Sequence, residues 1–278
     1  MTIDTQAVAS HYGRSELTGV LLDALENAGV DIDNLTPLDL APLDQFHSRG
    51  LEATRELSDV LAAQSDDHVL DIGCGIGGAM RFISDLTGCR MTGIDLTPEF
   101  CMAGQEFNKR TGLSDRVDCQ TGNALSLQFA DESFDKAYSQ FVVMNIEDRA
   151  GFCAEVFRVL KPGGRFVLTE IAEGPLGKPD YPMPWALTEA TSFVQTPEIT
   201  KTVLQKAGFE IISQCDTKDE AFAFQKEMEK KTAKDGPSKL GVHLILPNAT
   251  KEILGGVIKN IGKGLALPIE TVCQKPSK

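Results

Sequence analysis

The chain has 278 residues, of which 42% are hydrophobic and 24% charged, and its formal net charge at pH 7 is −13. This length and composition predict a folded protein with a sizeable core. The negative charge argues against nucleic acid as a partner, because a phosphate backbone is held by clusters of Lys and Arg, and it also disfavours an anionic membrane surface.

The sequence also bears on where the chain works. No apolar stretch reaches the roughly 18 residues of a membrane-spanning helix, and the N-terminus lacks the pattern of a secretory signal. The seven cysteines are scattered and form no C-x-x-C pair. Reduced thiols in a cytoplasmic protein are therefore expected.

Residues 1–64 are predicted to form an N-terminal helical cap. Within residues 15–30, apolar side chains recur at helical spacing on one face, and the stretch from Leu51 to Leu61 repeats this pattern after a proline-rich connector. Either the two helices cover a ligand site on the rest of the chain, or they pack there without touching a ligand.

Residues 65–278 are predicted to form one α/β domain. Seven apolar segments alternate with helical segments, the first beginning at His68 and the last spanning residues 266–274. This alternation is typical of a doubly wound, Rossmann-like, mostly parallel seven-stranded sheet with helices on both faces. Ligands bind such sheets beyond the carboxyl ends of the strands. A proline-rich insertion over residues 172–198 is expected to act as a lid.

The segment VLDIGCGIGG, residues 69–78, fits the G-x-G-x-x-G pattern of a turn that binds an adenosine cofactor. Asp71 would face like charge if the loop held the pyrophosphate of NAD. It suits S-adenosylmethionine instead, which carries an ammonium and a sulfonium. Gly73 and Gly75 would let the backbone approach the ligand closely.

The next two strands end in candidate nucleoside ligands. Asp95, followed by Leu96, is placed to accept from the ribose hydroxyls. Asn123 is placed to bond the adenine amine, and Leu125 to pack on the ring. These residues fit any adenosine cofactor, but a dehydrogenase would also need a His–Asp pair, and the sequence offers no clear one.

Together, VLDIGCGIGG, GIDLT, GNAL, FDKAYSQFVVMNIEDR and EVFRVLKPGGRFVLTEI resemble the successive motifs of class I S-adenosylmethionine-dependent methyltransferases. DQFHSRGLEATREL and YPMPWALTEATSFVQTPE are similar to segments of the sarcosine/dimethylglycine N-methyltransferase-like small-molecule group, with quinone and tocopherol C-methyltransferases as wider relatives. The resemblance implies S-adenosyl-L-methionine as the cofactor. The cofactor-binding residues that it implies are Gln45, Asp71, Gly73, Gly75, Asp95, Leu96, Asn123, Ala124, Leu125 and Gln140.

Catalytic roles are expected for four residues. Gln140 would lie beside the transferring methyl, His47 is the candidate base, and Tyr12 would cover the donor. Asn145 stands where many relatives have His, which removes the most evident general base. His47 alternatively bonds only a turn, and Tyr12 alternatively lies in a frayed terminus. Trp185 and Tyr181 are expected to line the acceptor pocket.

These patterns predict methyl transfer to a small molecule, with an amine nitrogen as the preferred acceptor because no strong base is evident. The alternative is C- or O-methylation of a quinol, phenol or natural-product scaffold. A protein that binds the cofactor without turnover also remains open, while an NAD(P)-dependent oxidoreductase is disfavoured by Asp71. No metal-binding pattern is present, so metal-free transfer is expected. A homodimer is compatible with the sequence.

Overall fold

A computed structural model describes residues 16–246 and 250–277, and its centre is one seven-stranded sheet. The strands lie in the order β3-β2-β1-β4-β5-β7-β6, and only β7 runs antiparallel to its neighbours. The strands are β1 (His68–Ile72), β2 (Arg90–Asp95), β3 (Val117–Thr121), β4 (Phe134–Gln140), β5 (Leu160–Glu173), β6 (Glu210–Asp216) and β7 (Ala266–Gln274). The predicted Rossmann-like, mostly parallel sheet is confirmed.

Helices pack around this sheet. The helices are α1 (Leu17–Asn27), α2 (Pro37–Asp44), α3 (Gly50–Leu61), α4 (Gly78–Thr87), α5 (Pro98–Arg110), α6 (Arg149–Val159), α7 (Pro197–Ala207), α8 (Lys218–Asp235) and α9 (Lys251–Gly262). The sequence patterns predicted no helix at α9, so this element is new information from the structure.

Alternate side chains of the central strand serve the two faces of the sheet. Val69 packs with Leu57 of α3 and Met80 of α4, while Leu70 joins Phe152 and Phe166 on the opposite face. All six side chains are buried. This alternation follows from the two-residue period of a strand, and it means that the sheet is covered on both sides.

The cap helices pack on α4 and α5. Leu21 and Leu43 join Phe100 and Phe107 of α5 in one apolar cluster. A buried ion pair joins α2 to α4, with Arg81 Nη2 2.9 Å from Asp44 Oδ2. The cap is therefore attached beside the loop that precedes α4. The division of the chain at residue 64 remains a prediction.

Within the described ranges, no helix is both long and apolar enough to cross a bilayer.

Candidate active site

A cavity of about 510 Å³ opens at the carboxyl ends of β1 and β4. Its walls come from the segment that follows α2, from the loop after β1, from the 172–198 insertion and from α8 and α9. This size lies within the range of small-molecule sites. Most of the polar lining comes from residues 44–50 and from the ends of β1 and β4, whereas α8 and α9 contribute apolar side chains and Gln225.

The glycine loop after β1 is shaped by contacts with the rest of the chain. A Cβ at Gly73 would overlap the side chain of Val142, and a Cβ at Gly75 would lie 2.8 Å from the Phe46 ring. Both glycines have positive φ, +84° and +54°, which a residue with a side chain adopts at a cost. A molecule lying over Gly75 therefore also meets Phe46, so the cap contributes to this end of the cavity.

Asp71 is the buried acid of the polar end. It is 3% exposed, and the Tyr138 hydroxyl donates to its Oδ2 at 2.8 Å. Burial raises the pKa of Asp71 to about 8, although the Tyr138 hydrogen bond opposes this shift. A ligand cation would restore the carboxylate, so the site is suited to a positively charged group.

Two buried amide groups beside Asp71 have no hydrogen-bond partner among the described residues. They are Nε2 of Gln45 and Nε2 of Gln140, and both residues line the cavity. A buried N–H group without a partner is costly, so each is a donor that a ligand oxygen would satisfy.

His47 lies in the same wall and holds Gln45. Its Nε2 is 3.2 Å from Gln45 Oε1 and 3.1 Å from Thr54 Oγ1, and its Nδ1 is 3.2 Å from the Ser48 carbonyl oxygen. Burial lowers the pKa of His47 to about 4, so the ring is neutral near pH 7 and donates to one of these oxygens. His47 thus bonds the turn, as one of its two interpretations predicts, and it also lines the cavity. Its contact with a ligand stays a prediction.

The residues expected to hold the nucleoside lie outside this cavity. Asp95 Oδ2 accepts from the Gly75 amide at 2.9 Å, and Asp95 Oδ1 accepts from the Thr97 amide at 2.9 Å. Asn123 Oδ1 accepts from the Leu125 amide at 2.9 Å within a local turn. The described lining of the cavity does not include Asp95, Leu96, Asn123, Ala124 or Leu125. Their roles in binding stay predictions.

The remaining predicted residues divide between the cavity and the lid. Gln140 and Trp185 line the cavity. Asn145 donates from Nδ2 to the Trp185 carbonyl oxygen at 2.8 Å, so the described contact holds the insertion rather than a ligand. Tyr181 packs in the neighbouring apolar cluster and is absent from the described lining. Tyr12 lies outside the described residues.

The apolar end of the cavity was missed by the sequence analysis. The α8 wall consists of Ala221, Phe224, Gln225 and Met228, and the α9 wall of Leu254, Val257, Ile258 and Ile261. Each set follows the i, i+3, i+4, i+7 spacing of one helix face. That spacing is the signal that was available in the sequence for both helices.

Among the described residues, no group of three or more His, Cys, Asp or Glu side chains is arranged to hold a metal ion.

Residues 70–168 match the family model described as "Methyltransferase domain". A 24-methylenesterol C-methyltransferase 2 of Oryza sativa subsp. japonica is 32% identical over 59% of this chain and 48% of its own length. A phosphoethanolamine N-methyltransferase 1 of Zea mays is 28% identical over 65% of this chain and 36% of its own length. The chain thus spans less than half of the length of either curated relative.

Solved structures share the fold at low sequence identity. The geranyl diphosphate C-methyltransferase of Streptomyces coelicolor A3(2) has a TM-score of 0.73 and 18% identity over 98% of this chain and 97% of its own. The [4+2]-cyclase SpnF has a TM-score of 0.70 and 23% identity over 99% and 97%. A putative sarcosine dimethylglycine methyltransferase of Galdieria sulphuraria has a TM-score of 0.62 and 20% identity over 82% and 84%.

Residues 70–168 therefore match a methyltransferase domain, and the fold around them is that of the class I S-adenosylmethionine-dependent methyltransferases. The class predicted from the sequence motifs is confirmed. The C- and N-methyltransferases among these relatives leave the acceptor atom to be argued from the site itself.

Proposed function

We propose that the chain transfers a methyl group from S-adenosyl-L-methionine to a small-molecule acceptor. One observation carries the proposal: a buried acid, Asp71, and two unpartnered amide donors, on Gln45 and Gln140, line the same cavity. This set is complementary to an amino-acid group, whose ammonium and carboxylate lie side by side.

Each end of that group has its own partner. Asp71 would accept from the ammonium, which would favour the charged form of its carboxyl. Gln45 and Gln140 would donate their free N–H groups to the carboxylate, which can accept several hydrogen bonds. His47 and Thr54 hold the Gln45 oxygen, so its N–H group is directed by hydrogen bonds already present.

The nucleoside would continue past Gly75 and Phe46 towards Asp95. Each carboxylate oxygen of Asp95 accepts one backbone hydrogen bond and keeps capacity for a ribose hydroxyl. Asn123 Oδ1 likewise has a second lone pair for the adenine amine beside its bond to Leu125. Gly73, Leu96, Ala124 and Leu125 would complete this binding set.

When bound, the cofactor supplies an activated methyl group on a sulfonium. The chain's task is then to align the acceptor and to exclude water. Gln140 at the end of β4 would fix the donor end, and Trp185 would close the cavity, held through its carbonyl by Asn145. Tyr12 would cover the donor from the N-terminal segment.

The acceptor atom is proposed to be an uncharged amine nitrogen. With a pKa of about 4, His47 is a weak base, and a neutral amine attacks a methyl group without prior loss of a proton. The alternative is C- or O-methylation of a quinol, phenol or natural-product scaffold. A cytoplasmic location, a homodimer and the lack of nucleic-acid and membrane partners also stay predictions.

Calorimetric titration with S-adenosylhomocysteine and, separately, with NADH tests the cofactor proposal. We expect S-adenosylhomocysteine to bind wild type and to bind the variants Gln140→Leu and Asp95→Ala at least tenfold more weakly. NADH should give no heat of binding. Asp118→Ala, an exposed change on β3, is the matched control and should bind like wild type. Binding of NADH without S-adenosylhomocysteine would overturn the proposal.

A second candidate is a protein that uses the fold without methyl transfer, since a [4+2]-cyclase shares it over nearly the whole chain. Transfer of a tritiated methyl group to a panel of amines, phenols and isoprenoids separates the two. Labelled product supports the methyltransferase, whereas tight S-adenosylhomocysteine binding without product from any acceptor class supports the second candidate.

A further inference from the structure

The distal half of the cavity is walled by two amphipathic helices that face each other. Phe224 and Met228 of α8 line one side, and Val257, Ile258 and Ile261 of α9 line the other. The opposite face of α8 is different, because Lys226, Glu227 and Lys230 there are exposed. The apolar side chains of α8 are thus concentrated on the face that looks into the cavity.

Part of this wall is accessible to solvent. Met228 is 40% exposed and Leu254 is 38% exposed, although both line the cavity. Apolar surface that a ligand can cover is a source of binding free energy, in proportion to the area removed from water. The two helix faces therefore offer affinity to a hydrocarbon body lying between them.

The charged side chains that line the cavity come from elements other than α8 and α9 and are already engaged. Arg49 donates to both carboxylate oxygens of Glu56, at 2.8 and 2.6 Å, and Asp44 is paired with Arg81. Asp71 is the group assigned above to the cofactor. A charged substituent placed between α8 and α9 would lose its hydration and meet apolar side chains instead.

We infer that the methyl acceptor carries its amine nitrogen on an uncharged, predominantly hydrocarbon body of the isoprenoid or long-chain type. Its body lies between α8 and α9, and its reacting end points towards Gln140. This inference rests on the proposed methyl transfer and narrows its acceptor. Such an acceptor differs from sarcosine, which is a charged amino acid. It also differs from phosphoethanolamine, the compound in the name of the maize relative.

Displacement of the uncharged dye Nile red, with S-adenosylhomocysteine present, tests the inference. We expect the dye to bind wild type with enhanced fluorescence and farnesol to displace it at micromolar concentration. Sarcosine and phosphoethanolamine should not displace it at millimolar concentration. Failure of farnesol to compete, or competition by either charged compound, would overturn the inference.

Two variants of one helix provide the matched comparison. Phe224→Glu changes the cavity face of α8 and should weaken farnesol at least tenfold. Phe222→Glu changes an exposed side chain outside the described lining and should stay within twofold of wild type. Equal farnesol affinity in both variants would contradict the inference.

A milder substitution guards against misfolding. Val257→Thr keeps the side-chain shape and replaces one methyl group with a hydroxyl, so we expect several-fold weaker farnesol binding with an unchanged melting temperature. Calorimetry with S-adenosylhomocysteine is run on the same samples. If S-adenosylhomocysteine binds wild type and farnesol does not, the inferred acceptor class is wrong. If S-adenosylhomocysteine does not bind wild type, the proposed function itself fails.

Discussion

Asp71 couples ligand binding to a proton. Because burial raises its pKa to about 8, the carboxyl is mostly protonated at pH 7 in the ligand-free protein. An ammonium beside it lowers that pKa, so binding should release a proton, and affinity should rise as the pH increases from 6 to 8.5.

Titration calorimetry with S-adenosylhomocysteine in phosphate and in Tris measures this proton, because the two buffers differ in ionisation enthalpy. We expect different apparent heats for wild type and equal heats for Asp71→Asn, which should also bind more weakly. Equal heats for wild type in both buffers would show that Asp71 does not change its protonation.

In the ligand-free protein, Asp71 should lower the free energy of unfolding at high pH. When folding raises the pKa of a carboxyl, the protein loses stability as the pH rises from the pKa of the unfolded state towards that of the folded state. Asp71→Asn should therefore raise the unfolding free energy at pH 8.5 by on the order of 2 kcal/mol, with little change at pH 4. Urea denaturation at the two pH values checks this, and a loss of stability at pH 8.5 would contradict it.

His47 should be silent in the pH dependence of the reaction above pH 6, since its pKa is about 4. With an amine acceptor, His47→Ala should lower kcat/KM less than tenfold. With an acceptor that must lose a proton, the loss should approach 10²- to 10⁴-fold. His68→Asn, at the far end of β1, is the control and should stay near wild type.

At the scale of elements, the junction of α2 with α4 is closely packed. A Cβ at Gly78 would overlap the Asp44 carbonyl group, whereas no described atom lies within 4 Å of a Cβ at Gly19 in α1. Gly78→Ala should destabilise the protein by about 1–3 kcal/mol. Gly19→Ala should stabilise it by about 0.5–1 kcal/mol. Thermal unfolding of both variants measures the contrast, and equal shifts would contradict it.

The helices and strands that could be predicted from the sequence are those whose apolar spacing is regular along one short stretch of residues. The strand from Ala266 to Gln274 has the predicted bounds, and the first strand begins at His68 as predicted. Helix α9 was not predicted, because Gly255 and Gly256 in its interior have low helix propensity and obscure an otherwise regular apolar face. Such a helix is stabilised by packing of its apolar face against neighbouring elements rather than by its own helix propensity.

At the scale of the whole molecule, the order of the sequence motifs was sufficient to predict the type of sheet and the position of Asp71 near the end of its first strand. Gln45 and Gln140 line the same cavity although they lie 95 positions apart in the chain, a placement that no local pattern contains. The contact of Phe46 with Gly75 is of the same kind. Asn145 was expected among the catalytic residues, at a position where many relatives have His, and its described contact is with the insertion at Trp185.

The one-sided attachment of α8 has a dynamic consequence. Of its 18 residues, all within the described range, only Ala221 is buried. A segment with so little buried surface opens locally at small free energy, well below global unfolding. Its backbone amides should therefore exchange with deuterium quickly in the free protein and at least tenfold more slowly with S-adenosylhomocysteine and farnesol bound, while β1 stays protected in both. Since each opening would expose the cavity, we expect the same motion to limit how fast a hydrophobic product of the proposed reaction leaves.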